Sequence, residues 1–357
     1  MQKSKIGVIF GGASSEHKVS LISAKSVIEN IPTDKYDIVM IGITQDGQWF
    51  HYIGDTAFLE NDTWELDPAN RPAFISPDAI THGLIEITDD GKAEGIYLDA
   101  VFPVLHGANG EDGTLQGLLT LSGIPFVGCD TASSAICMDK AVTKLLIDTA
   151  DINQAIWDYF YMDDFKKDKD AIIFKIETVL GYPVFVKPAN AGSSVGISKA
   201  NNRKQLLKAV ETAAVHDKKI VVEEAITGKE IECAVLGNND VQVSVCGEIE
   251  PSNEFYDYDA KYSSGTSKLF IPARIDESVA EEVRDIAVEA YKALGCSGMA
   301  RVDFFVEDDG TILLNELNTI PGFTGISMYP KLFAASGIEY GDLIDRLIQL
   351  AIEKSKM

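Results

Sequence analysis

Over the first 130 residues, short apolar runs that end in glycine alternate with stretches whose apolar positions recur at helical spacing, the pattern of strands alternating with helices. KIGVIFGG (5–12) reads as a buried strand closing in a glycine turn, a helix is expected over about 19–29, and YDIVMIGI (36–43) reads as the second strand. VFPVL (101–105), the loop HGANGEDGT (106–114), a helix through Leu121 and the strand GIPFVG (123–128) continue the series. An α/β N-terminal domain built on a parallel sheet is therefore expected over residues 1–130. From Asp130 to Met162 the pattern turns helical, and the Lys- and Asp-rich stretch at 164–170 reads as solvated surface near a domain junction. YPVFVKP (182–188) and SSVGISKA (193–200) read as strands around a small-residue turn, followed by a helix over about 203–216 and a strand at KIVVEEAI (219–226). These make a small α+β central domain, residues 131–224. The C-terminal domain, 225–357, alternates strands with helices over about 277–294 and 342–353.

One pattern carries more chemistry than the rest. ARVDFFV (300–306) and TILLNEL (311–317) alternate with period two on either side of an acidic turn ending in Asp309-Gly310, which reads as a β-hairpin. If Asp309-Gly310 is the two-residue loop, Asp308 pairs with Thr311, Asp303 faces Glu316 and Arg301 faces Asn318, all four on one sheet face. Val302, Phe304, Val306, Leu313 and Leu317 take the other face. Directly opposed side chains lie about 4.5–5.5 Å apart at Cβ, where like charges destabilise unless something positive lies between them. Two carboxylates and an amide oxygen suit Mg²⁺. Arg301 neutralising the two acids as a structural ion pair is the alternative reading of the same residues.

At 357 residues the chain exceeds what one hydrophobic core organises, in keeping with three domains. Lys and Arg number 31 against 55 Asp and Glu, a formal charge of −24, which excludes nucleic acid or an anionic membrane surface as a partner. An anionic substrate must then meet local positive charge. The five cysteines, scattered in apolar contexts, read as reduced thiols of a cytoplasmic protein, and no apolar stretch approaches the ~20 residues of a membrane span.

Neither a P-loop nor a dinucleotide fingerprint is present, so a nucleotide would be held another way. The turn Ala191–Gly196 could bring backbone N–H groups close to phosphate oxygens, and Lys187, ending the preceding strand, adds a point charge there. Lys140 and Lys261 are further phosphate candidates. Glu223 and Glu230 suit an exocyclic amine and ribose hydroxyls. FYDYDAKYSSGTSK (255–268) has the composition of a lid. His106 reads either as a general base or as a buried, hydrogen-bonded histidine.

Taken together, GGASSEHKVSL (11–21), LHGANGEDGTLQG (105–117), MDK (138–140), VKPANAGSSVGISK (186–199), FYDYDAKY (255–262), GCSGMARVD (295–303) and NELNTIPGFT (315–324) resemble the D-alanine:D-alanine ligase family of the ATP-grasp superfamily. The resemblance runs from about residue 5 to 350. It implies a three-domain ATP-grasp fold, ATP between the central and C-terminal units, and two Mg²⁺ ions (Mn²⁺ as substitute) on Asp303, Glu316 and Asn318. The activity it implies is phosphorylation of one D-alanine carboxylate by ATP and attack on the acyl phosphate by the amine of a second D-alanine, for peptidoglycan synthesis in the cytoplasm. By the same resemblance Lys140, Lys187, Lys261 and Ser194 hold phosphates, Glu223 and Glu230 hold adenosine, and Arg301 with the Gly322 N–H stabilises the tetrahedral oxyanion. Glu16 binds the first D-alanine ammonium and links to Ser193 and Tyr262, which fasten the lid, residues 255–270. Ser327 contacts the acceptor carboxylate. Tyr262 and the apolar Met328 favour D-alanine as acceptor, whereas PARID (272–276) and MYP (328–330) are similar to the D-serine-using, vancomycin-resistance branch. D-serine ligation is thus one alternative and a catalytically silent ATP-binding regulator another. A homodimer is expected. Ile326, where the family commonly has histidine, and NQAIWDYFYM (153–162) depart from the pattern.

Overall fold

The computed structural model describes residues 3–251 and 267–356. Three sheets organise it. In the first, Ser4–Gly11 lies between Tyr36–Ile43 and Ala100–Pro103, parallel to both, with Ile6 opposite Ile38 on one side and Ala100 on the other. Ile6, Val8, Ile9 and Phe10 are wholly buried because both sheet faces are covered, which is why this strand reads as a continuous apolar run. The helix His17–Asn30 and the helix Tyr340–Lys354 cover one face. The expected parallel sheet is extended by four antiparallel strands, Trp49–Tyr52, Arg71–Ile75, Gly83–Ile87 and Ala93–Tyr97. These are four or five residues long, carry polar residues and give little periodic signal, and the sequence pattern did not single them out. GIPFVG contributes only the bridge from Phe126 to Val101.

The second sheet is antiparallel, in the order Ser198–Ala200, Val184–Pro188, Lys219–Glu224, Trp157–Tyr161. It has its own core, with Val184, Val186, Leu206, Val210 and Val222 at its centre. The expected strand over 193–200 is a strand only from Ser198. Ser193 and Ser194 take left-handed backbone (φ 47° and 59°), and Val195 N–H donates to Gly192 O (3.1 Å), so the segment turns on itself before pairing.

In the third sheet the order is Lys268–Phe270, Gly247–Glu250, Lys229–Gly237, Gly298–Val306, Ile312–Asn318. The hairpin of the last two strands differs from the expected one at both ends of its register. Its loop is one residue longer: Glu307 pairs with Thr311, Gly310 N–H donates to Glu307 O, and Gly310 takes φ 89°. That is a type I turn with a left-handed glycine, not the two-residue loop, and it shifts Val306 opposite Ile312. A β-bulge at Asn315 then shifts the register back, so Asp303 does face Glu316 and Arg301 does face Asn318. Between turn and bulge the faces are exchanged: Leu314, not Leu313, joins Val302, Phe304 and Leu317 in the core beneath.

Candidate active site

Arg301, Asp303, Glu316 and Asn318 open onto a cavity of about 730 Å³ that extends to Glu16 on one side and to Glu250 on the other. Every described candidate residue lines it: Glu16, Lys140, Lys187, Ser193, Ser194, Glu223, Glu230, Gly322, Ser327 and Met328 join the hairpin four. Lys261 and Tyr262, and the lid to residue 266, lie outside the described residues.

On the hairpin, Arg301 donates from Nε and Nη2 to the two oxygens of Asp303 (both 2.7 Å), and its Nε lies 3.2 Å from Glu232 Oε2 on the neighbouring strand. Asn318 Nδ2 donates to Asp303 Oδ2 at 2.9 Å, and Lys140 Nζ stands 3.6 Å from Glu316 Oε2. Among the described residues, three carboxylates gather about one guanidinium and one ammonium. The donor set is all oxygen once the Asn318 amide turns over, so it fits a hard divalent cation.

The cations on the cavity wall are fixed by the second sheet and the helix Lys140–Thr149. Asp139 caps that helix, accepting from the N–H groups of Ala141 and Val142, which puts Lys140 in its first turn with Nζ donating to Ala191 O (2.9 Å) on the small-residue turn. One turn later Lys144 Nζ lies 3.1 Å from Glu223 Oε2, while Lys187 pairs with Glu223 Oε1. Burial pushes the Glu223 carboxyl up, but Lys144 and Lys187 outweigh it and hold the group at about 2. Glu223, expected on adenosine, lines the cavity and also pairs with two of its lysines.

Glu16 occupies a close-packed corner. Ser193 donates to its Oε1, and a Cβ on Gly107 or Gly192 would stand 2.4 or 2.6 Å from its Oε2, so a side chain at either position would displace the Glu16 carboxylate. Beside it His106 is buried, its Nδ1 bonded to Ile320 O (3.0 Å) and its Nε2 to Ser23 Oγ (3.2 Å), with burial lowering its pKa. That geometry is the buried, hydrogen-bonded histidine rather than a base aimed at substrate. Glu111 accepts from Gly107 N–H (2.8 Å) and Ile320 N–H (3.2 Å). Burial, reinforced by the charge of Glu16, raises the Glu111 carboxyl to about 8.

The sign of its stability effect follows. The folded-state value lies above that of the unfolded chain, so the native state keeps a proton the unfolded state releases, and stability falls as pH rises from about 4.3 to about 8. Glu223 works in the opposite sense, but its contribution is lost only as pH falls toward about 2 and is constant above pH 5. Glu111→Gln, which mimics the neutral acid, should remove a downward slope of melting temperature between pH 5 and 8. Parallel curves for the variant and the parent protein would rule this out.

Sequence reasoning missed Lys144, Glu232 and Glu111. Lys144 stands four residues after Lys140 on one helix face, and Glu111 lies within the quoted glycine-rich loop, so both had a signal; Glu232 had none, because its approach to Arg301 is a cross-strand contact.

The family model described as D-ala D-ala ligase N-terminus matches residues 5–129, and that described as D-ala D-ala ligase C-terminus matches 146–349. The D-alanine--D-alanine ligase of Caldicellulosiruptor bescii is 52% identical over 357 residues, covering 100% of this chain and 97% of the relative. That of Clostridium acetobutylicum is 50% identical over 356 residues, 99% of each. Among solved structures, the VanG D-Ala:D-Ser ligase from Enterococcus faecalis superposes with a TM-score of 0.90 at 46% identity, covering 98% of this chain and 100% of that one. The D-alanine-D-alanine ligase from Coxiella burnetii does so at 0.86 and 36%, covering 99% and 96%.

Proposed function

The chain belongs to the D-alanine–D-alanine ligase family, and from that premise we propose that it joins two D-alanine molecules with ATP, through a D-alanyl phosphate, to give D-alanyl-D-alanine for peptidoglycan. The observation that carries this reading is the convergence on one cavity of the hairpin acids with Arg301, of Lys140 and Lys187, and of the Glu16–Ser193 pair.

The reaction asks for little covalent work by the protein. A carboxylate oxygen of the first D-alanine attacks the γ-phosphorus of ATP and ADP leaves; the amine of the second attacks the acyl carbon, and phosphate leaves as the amine loses its proton. Catalysis is then positioning and charge stabilisation. Glu16, oriented by Ser193 and confined by Gly107 and Gly192, would hold the first ammonium. Lys140, Lys187 and the turn at Ser194 would hold phosphate oxygens, with Glu223 keeping Lys187 in place. Glu223 and Glu230 would bind adenosine. Arg301 has five N–H donors, more than Asp303 and Glu232 take up, and with the Gly322 N–H would stabilise the oxyanion. Asp303, Glu316 and Asn318 would hold two Mg²⁺ ions, or Mn²⁺, and the chemistry these supply when bound is neutralisation of triphosphate charge. Ser327, whose Oγ accepts from Thr324 N–H (3.0 Å), and the buried Met328 would border the acceptor site. Lys261 and Tyr262 would complete the phosphate site and the lid. The three units, residues 1–130, 131–224 and 225–357, assembly as a homodimer and action in the cytoplasm belong to the same reading; among the described residues no helix is long and apolar enough to cross a membrane.

Purified protein given ATP, Mg²⁺ and millimolar D-alanine should release phosphate and yield a product with the mass of D-alanyl-D-alanine. Binding of ATP without any release would sink this reading and leave the silent regulator. D-serine offered in competition should give the minor product; an excess of D-alanyl-D-serine would move the assignment to the branch of the Enterococcus structure.

A further inference from the structure

We propose that His17, Asp62 and Glu65 form a binding site for a divalent cation of the Zn²⁺ class, apart from the acids of the hairpin. One ligand atom from each of the three lies within 4.8 Å of the other two. His17 begins the helix His17–Asn30, and the two acids flank Trp64 on the loop facing it.

The argument starts from the histidine. His17 is 1% exposed, and its Nδ1 lies 2.9 Å from Gly12 O. A carbonyl oxygen only accepts, so Nδ1 carries the proton and Nε2 is the ring's free coordination position. Nε2 is buried, has no hydrogen-bond partner, and points at Asp62 Oδ1, 3.4 Å away. The ring thus turns Nε2 toward two carboxylates, an arrangement that suits a cation among them. The 3.4 Å separation is close to the ~3.3 Å between two ligands of a tetrahedral ion with ~2.0–2.1 Å bonds.

The surroundings suit a metal ligand. A carbonyl that accepts from the second nitrogen fixes ring orientation and tautomer, as metal-binding histidines require. The loop carrying the acids is anchored by Trp64, fully buried with its ring edge-on to Phe10 and Tyr52. Glu65 is exposed and Asp62 partly so, leaving a path for entry and open positions for water. One imidazole with two carboxylates prefers Zn²⁺ and its neighbours over Mg²⁺, whose preferred donors are all oxygen. Its effect would be structural: it ties the first turn of the helix to the 61–67 loop and to Gly12, and Glu16 immediately precedes His17 in the chain.

The test is a calorimetric Zn²⁺ titration of the full chain saturated with ADP and excess Mg²⁺, so that the hairpin acids are occupied. The comparison is with the double variant Asp62→Asn, Glu65→Gln, whose changes fall on the accessible side of the cluster. One equivalent of Zn²⁺ should bind to the parent protein and bind about tenfold or more weakly to the variant. Zn²⁺ should also raise the melting temperature of the parent and not of the variant. Asp303→Asn should leave the Zn²⁺ affinity unchanged. No stoichiometric binding, or equal affinity in parent and double variant, would overturn the proposal.

Discussion

Replacing Arg301 with methionine should cut turnover by about 10²–10³-fold and destabilise the fold by about 3–5 kcal/mol. Methionine fills most of the same volume, so the effect is one of charge. In the native site Asp303 (9% exposed) receives two donors from Arg301, and Glu232 (6%) stands 3.2 Å from the same guanidinium. Without it, the buried Asp303 carboxylate loses both charged donors and keeps Asn318 as a neutral one. Removing one partner of a buried pair costs far more than the pair contributes, because desolvation of the stranded group is uncompensated. The double variant Arg301→Met, Asp303→Asn should therefore be more stable than Arg301→Met alone while remaining inactive. Chemical denaturation of the four proteins of that cycle, with steady-state rates for each, decides it. If Asp303→Asn failed to rescue the stability of Arg301→Met, the stranded-charge account would be wrong; if Arg301→Met turned over normally, so would the oxyanion role.

The hairpin also shows how far local pattern reaches. Period-two alternation identified both strands and the facing acids, because alternation survives any even number of register changes. Two changes occur, one at the Gly310 turn and one at the Asn315 bulge, and they cancel before Asp303. Only the stretch between them was misplaced, which is why Leu313 and Leu314 exchanged faces. Next to the bulge, Leu314 N–H donates to Asn153 O (2.9 Å), a tertiary contact that no local pattern carries. For the same reason the Glu16–Ser193 contact, across 177 residues, came from the family resemblance and not from spacing. Charge pairing between elements was not legible, as at Lys144 with Glu223 and at Glu232 with Arg301.

Glu316→Gln should separate the two readings of the facing acids. Glutamine keeps the shape and an oxygen toward Lys140, now 3.6 Å away, but removes one of the acidic charges gathered near Arg301 and Lys140. If the acids serve only the fold, the loss includes a partly exposed ion pair with Lys140 worth at most ~1 kcal/mol, and turnover is unaffected. If they are held together to bind a cation, like-charge repulsion is the cost the native sheet carries for that purpose. The variant should then melt higher than the parent protein in EDTA, and the order should reverse in Mg²⁺ and ADP, because ligand stabilisation scales with the affinity the variant has lost. Turnover should fall by about 100-fold or more, the upper end of what losing a group behind a metal ligand costs, and excess Mg²⁺ should restore only part of it. Melting curves with and without Mg²⁺ and ADP, read beside the rate, give three independent signs. A variant that gains as much from Mg²⁺ and ADP as the parent does would leave Arg301 neutralising a purely structural pair.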